Sequence, residues 1–194
     1  MPPVFSPSSR RRLLLALLGL PLAMPRAATA AGFVYRPIGL RLYQSDEVLR
    51  DRVPGGPSRL GSYVHEISHA LREALTAETA GAGFSGALVV MLRPGAQARH
   101  WLVAPTPLAT VEQRVRQALS SRPSPPVQNG ALAFAVRFDA WGGGAAPALA
   151  DGELPTPEEW KAALGGPARY PMQDADLVKV WPPDRHIAAP AGGR

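Results

Sequence analysis

Apolar residues recur along this chain with two different periods, and the switches between them mark out the elements. Over 33–43, Ile38, Leu40 and Leu42 alternate with Gly39, Arg41 and Tyr43, the two-residue period of a strand. Residues 46–59 are charged and then rich in Pro and Gly, a loop composition. Over 60–78, Leu60, Val64, Ile67, Leu71 and Leu75 recur at three- and four-residue steps. That spacing predicts a helix with one apolar stripe, ended by Gly81 and Gly83. Residues 87–92 are unbroken apolar, as in a strand buried on both faces. Turn chemistry at Arg93-Pro94-Gly95-Ala96 and a returning strand over 98–103 complete a hairpin. Thr106 and Pro107 predict the cap and first position of a second helix. Its stripe is Leu108, Val111, Val115 and Leu119, and Arg122-Pro123-Ser124-Pro125-Pro126 stops it.

The clearest strand spans 131–138. Leu132, Phe134, Val136 and Phe138 point one way, while Ala131, Ala133, Ala135 and Arg137 point the other. Large side chains on one face predict a core there, and a thin or exposed opposite face. Beyond it, Trp141-Gly142-Gly143-Gly144 opens a predicted linker. Thr156-Pro157-Glu158-Glu159 is a capping box that predicts a short helix over 157–164, ended by Gly165. Residues 177–181 read as a last strand and 182–194 as a tail. The fold class expected is α+β: a small antiparallel sheet with two helices packed on one face.

The N-terminus changes the reading of charge and compartment. Ser9-Arg10-Arg11-Arg12 precedes an apolar, leucine-rich run over 13–22, and Ala28-Thr29-Ala30 offers small residues at the two positions that signal peptidase reads. The run is shorter than the roughly 20 residues of a membrane span. Residues 1–30 are therefore expected to be a cleaved signal peptide. Export to the periplasm is expected, by the general secretory or the twin-arginine route, with no stable membrane insertion after cleavage. The formal charge of +6 includes four arginines in that segment, which holds no acid. The remaining chain carries 17 basic and 15 acidic residues, which gives no footprint for nucleic-acid binding. There is no cysteine, so neither a disulfide nor a lipidated cysteine is available. The expected organisation is 1–30 signal peptide, 31–141 an α+β domain, and 142–194 linker, short helix and tail.

From about Tyr63 to Phe138 the predicted order is helix, strand, tight turn, strand, helix, Pro-Pro, strand. Gly86-Ala87-Leu88-Val89-Val90-Met91-Leu92, the turn Arg93-Pro94-Gly95, and Pro125-Pro126 ahead of 131–138 carry a likeness. In this order the chain resembles the C-terminal domains of the TonB/TolA family. The resemblance implies two helices on one face of a three-stranded sheet, with 87–92 central and 98–103 and 131–138 flanking it. It also implies a cell-envelope protein as partner, held without a cofactor. The departures are Ala104-Pro105-Thr106 where the family has a Ser-Ser-Gly turn, and the missing Tyr-Pro pair before the first strand. With 1–30 cleaved, the chain is expected to lack the anchor and spacer of an energy transducer. The implied role is contact, not force transmission. If 131–138 is an edge, Ala131, Ala133, Ala135 and Arg137 would mark the strand on which a partner adds its own.

A second chemistry competes with this one. His65-Glu66-Ile67-Ser68-His69 is an H-E-x-x-H on a predicted helix. Histidines four residues apart share a helix face and can hold Zn²⁺, with Glu66 as general base on a zinc-bound water. This alternative makes the chain a zinc hydrolase. It needs a third ligand, for which Glu78 and His100 are available, and it sets Arg72 on the metal's face. Trp101, Trp141, Trp160 and Trp181 could form a carbohydrate platform, but serve more simply as packing. The glycine run 142–144 lacks the Lys-Ser or Lys-Thr of a phosphate loop, and no serine nucleophile elbow is present.

Overall fold

The computed structural model describes residues 32–144 and 152–182. The segment read as a signal peptide lies outside these residues. The fold is α+β. Four strands, β1 (Tyr35–Leu42), β2 (Phe84–Arg93), β3 (Gln97–Val103) and β4 (Leu132–Ala140), form one antiparallel sheet in the order β1-β4-β2-β3. Five helices accompany them among the described residues: α1 (Asp46–Arg52), α2 (Gly56–Thr76), α3 (Ala109–Ser120), α4 (Glu158–Leu164) and α5 (Asp174–Val180).

One face of the sheet carries the expected core. Leu88, Val90 and Leu92 of β2 meet Leu132, Phe134, Val136 and Phe138 of β4 beneath α2 and α3. The helices contribute Leu60, Ile67, Leu71 and Leu75, then Val111, Val115 and Leu119, the residues of the two predicted stripes. α2 begins earlier than its apolar pattern, at Gly56, because Pro57 suits a first turn whose N–H groups are unsatisfied anyway. α3 begins later than expected. Leu108 is the N-cap, without a side-chain bond, and Thr106 and Pro107 stand outside the helix. α1 replaces part of the loop expected over 46–59. Asp46 and Glu47 sit in its first turn and Arg50 and Arg52 in its last, the charge order that a helix dipole favours.

The edge expected at 131–138 is not there. β4 pairs with β1 on one side and β2 on the other, so its backbone is engaged along both flanks. Ala131, Ala133, Ala135 and Arg137 are therefore not an open edge. Their face is not bare either: Ala133 and Ala135 are fully buried. The segment 152–182, expected as linker, short helix and tail, folds back over it as a second layer, with the expected helix present as α4. Trp160, Leu177, Trp181, Met172 and Leu154 pack with Tyr43, Trp101, Val89 and Met91. Alanines on β4 give the ring of Trp160 room to approach, and it stacks edge-on against Tyr43 at 5.5 Å and Trp101 at 5.2 Å between centroids. α5 stands where a strand was expected over 177–181. Leu177 and Trp181, four residues apart, both reach this core, which a helical turn allows.

Polar clamps hold the second layer in register. Buried Arg52 donates to Asp174 at 2.6 and 2.7 Å and also to the Ala131 carbonyl. The Tyr43 hydroxyl donates to the Pro155 carbonyl, and Met172 N–H donates to the Tyr43 carbonyl at 2.7 Å. Among the described residues no helix is long and apolar enough to cross a membrane.

Trp160→Ala is expected to cost about 3–5 kcal/mol in a urea titration, because a fully buried indole leaves a cavity that the alanine floor cannot fill. If the second layer were a loose tail, the loss would be under about 1 kcal/mol.

Candidate functional site

The H-E-x-x-H residues lie on α2, whose inner face is spent on the core through Tyr63, Ile67, Ala70 and Leu71. His65 and His69 point outward and are exposed, with Glu66 half-buried between them. His69 Nδ1 sits 3.2 Å from Glu73 Oε2, one turn on. The two residues available as third ligand are engaged elsewhere. Glu78 takes an ion pair from Arg114 at 3.2 Å. His100, on β3, has its Nε2 3.1 Å from the Tyr63 hydroxyl under α2. No group of three His, Cys, Asp or Glu comes together among the described residues.

His100 and Tyr63 form a part-buried polar contact at the margin of the helix-side core. Burial, helped by the Arg116 guanidinium, pushes the His100 imidazole down to about 4. Burial, with Glu66 nearby, pushes the Tyr63 phenol up to about 12. Both groups therefore stay neutral near pH 7, and neither is poised as an acid or base for neutral chemistry.

The sheet itself offers two outer edges. That of β1 is blunted. Pro37 has no N–H, the register shifts between Pro37 and Gly39, and Arg36 and Arg41 stand along it. Of the expected pattern, Ile38, at the bulge, and Leu40 are 46% and 44% exposed, while Leu42 packs against the core. The edge of β3 is regular. Seven consecutive residues pair with β2 from Ala87↔Val103 to Arg93↔Gln97, without proline or bulge. No backbone bond from 97–103 reaches any other described segment. Alternate residues of β3 thus turn N–H and C=O outward without a partner among the described residues. Beside its end, Leu102, Ala104, Pro105, Pro107 and Leu108 line a groove of about 330 Å³.

A larger cleft, about 540 Å³, opens on the other face of the sheet, where the second layer stops short. Its floor is Ser85, Gly86 and Ala87 of β2 with Arg137 of β4, and its wall is 153–156 and the start of α4. Of the residues singled out in the sequence for β4, Arg137 alone lines this cleft, while Ala133 and Ala135 lie under the second layer. Sequence reasoning missed the cleft because its wall comes from the segment read as linker. A faint signal was present in Ser85-Gly86-Ala87, three small residues in a row at the start of a strand.

Comparison with known proteins finds no matching family model, curated protein or solved structure.

The depressed His100 value carries a consequence for stability. The unfolded chain binds a proton near 6.5 and the folded chain only near 4, so stability is full above pH 6.5 and falls as pH drops toward 4. Denaturation midpoints between pH 7 and 5 should decline for the native chain, and the decline should be visibly shallower in His100→Gln. Equal slopes would place the titrating group elsewhere.

Proposed function

We propose that this chain is an exported protein-interaction domain that binds an extended segment of a cell-envelope partner by strand addition along β3. The observation that carries the reading is the outer edge of β3: seven residues, regular, and without a backbone partner among the described residues. Such an edge supplies main-chain hydrogen bonds to any extended chain, and pockets for alternate side chains supply the choice of sequence. The groove at Leu102, Pro105 and Leu108 is placed to take an apolar side chain of the added strand. The contrast with β1 supports the choice, since β1 carries a proline and a bulge and β3 carries neither. The charged n-region, apolar run and Ala28-Thr29-Ala30 favour export, and so a partner in the envelope. The likeness to TonB/TolA C-terminal domains in order of elements points the same way.

The zinc reading is not taken further. His65 and His69 are exposed, and the residues that could complete a site are bonded to other partners.

The test begins with display selection of linear peptides on the full chain, followed by NMR of the tightest peptide bound to it. Peptides with apolar residues at alternate positions are expected, with cross-strand contacts from peptide protons to residues 97–103. Ala104→Glu, which puts a charge in the groove, should weaken the best peptide at least tenfold, about 1.4 kcal/mol. Failure to select any linear peptide, or peptide contacts confined to α2 or β1, would remove the basis of the proposal.

A further inference from the structure

The cleft over the second face of the sheet meets the β3 groove at Ala104 and Pro105, which line both, and its chemistry is more specific than its size. Its floor is low for a definite reason. Arg137 is paired across the sheet with Ala87 on one side and Gly39 on the other, and a Cβ added at Gly39 would meet nothing within 4 Å. Arg137 therefore stands between two of the smallest residues, with open space on the Gly39 flank.

The charges around it are unequal in their commitments. Asp139, two residues along on the same face, is the natural partner for Arg137, yet both its oxygens are taken. Oδ1 accepts from the Ser85 hydroxyl at 2.6 Å and Oδ2 from Arg36 at 2.5 Å. Ser85, and after it Arg36 and Arg137, hold the Asp139 carboxyl below the usual carboxylate range, so it stays an anion already matched. On the wall, Lys161 is paired with Glu158 at 2.6 Å. Glu153 brings a second carboxylate to that wall and is itself engaged. Arg137 makes no hydrogen bond or ion pair with any described residue, and it is the cation lining the cleft of which this is true. The rest of the lining is largely apolar, and Ile38, Val103, Ala104 and Pro105 are the part of it open to solvent.

We propose that this cleft binds a small monocarboxylate with an apolar body, its carboxylate on the Arg137 guanidinium and its body along Ile38, Val103 and Ala104. A guanidinium offers a planar fork that matches a carboxylate with two parallel N–H···O bonds. The volume lies in the range of small-molecule sites, which are mostly apolar with a few placed polar groups. Arg137 is the one cation lining the cleft without a hydrogen bond or ion pair among the described residues, and it matches a single carboxylate.

Octanoate is a suitable probe, with 1-octanol testing the apolar body alone and acetate the head alone. The full chain is titrated with each, and ¹H–¹⁵N shifts and calorimetry are followed. Octanoate should bind saturably, at least tenfold more tightly than either control, and shift the amides of residues 85–87, 137 and 154–156. Arg137→Gln should weaken octanoate at least tenfold while leaving octanol within twofold, and Arg137→Lys should recover part of the loss. Should Arg137→Gln not fold, the wild-type ranking of octanoate over octanol and the location of its shifts still decide the matter. The proposal is overturned by non-saturable binding, by equal binding of octanoate and octanol, or by undiminished binding to folded Arg137→Gln. Shifts confined to 97–102 and 106–108 would overturn it too, by assigning octanoate to the β3 groove.

Discussion

The structure depends on the side-chain alternation of β4 and on that strand being enclosed. Leu132, Phe134, Val136 and Phe138 supply the sheet's share of the core under α2 and α3, at about 1.5–3 kcal/mol for each fully buried side chain. On the reverse face Ala133 and Ala135 rise only a methyl group above the sheet. A layer of helices and loops can therefore approach closely enough for Trp160 to reach Tyr43 and Trp101. β1 and β2 close the two flanks. A strand so enclosed has no free backbone, and of its reverse face Arg137 is left open at the cleft. The open backbone moves to β3, and the open face is reduced to the cleft where the second layer ends.

Much of the helix-side half was legible in the sequence, because each of its elements carries its own period. The stripes at Leu60–Leu75 and Val111–Leu119, the two-sided run at 87–92 and the alternation at 132–138 all describe surfaces that one core unites. What escaped were relations between distant segments. Whether 131–138 is an edge depends on where β1 docks, and the alternation at Ile38, Leu40 and Leu42 predicts a strand without naming the strand it pairs with. The second layer is assembled from single anchors spread through Pro- and Gly-rich chain, among them Leu154, Trp160, Met172 and Leu177. No period advertises such a layer. Its clamps join partners far apart in sequence, such as Arg52 with Asp174. α5 illustrates the same point, since Leu177 to Trp181 reads as a short apolar strand until Leu177 and Trp181 are seen to share one side of a turn.

The candidate sites divide in the same way. His65 and His69 were conspicuous because their spacing is local, and the fold sets them on an exposed surface with no third ligand gathered beside them among the described residues. Arg137 was visible only as the odd member of an alanine face. Its significance comes from Gly39 and Ala87 across the sheet, and from Asp139 being taken by Ser85 and Arg36.

The enclosure of β4 and the freedom of β3 make one central claim, and amide hydrogen exchange on the free chain tests it most directly. The account predicts that Phe134, Ala135 and Val136 are among the slowest amides, exchanging only with global unfolding. Alternate amides within residues 97–103 should exchange orders of magnitude faster. Slow exchange along the whole of β3, or fast exchange at alternate positions of β4, would contradict the topology and the reading built on it.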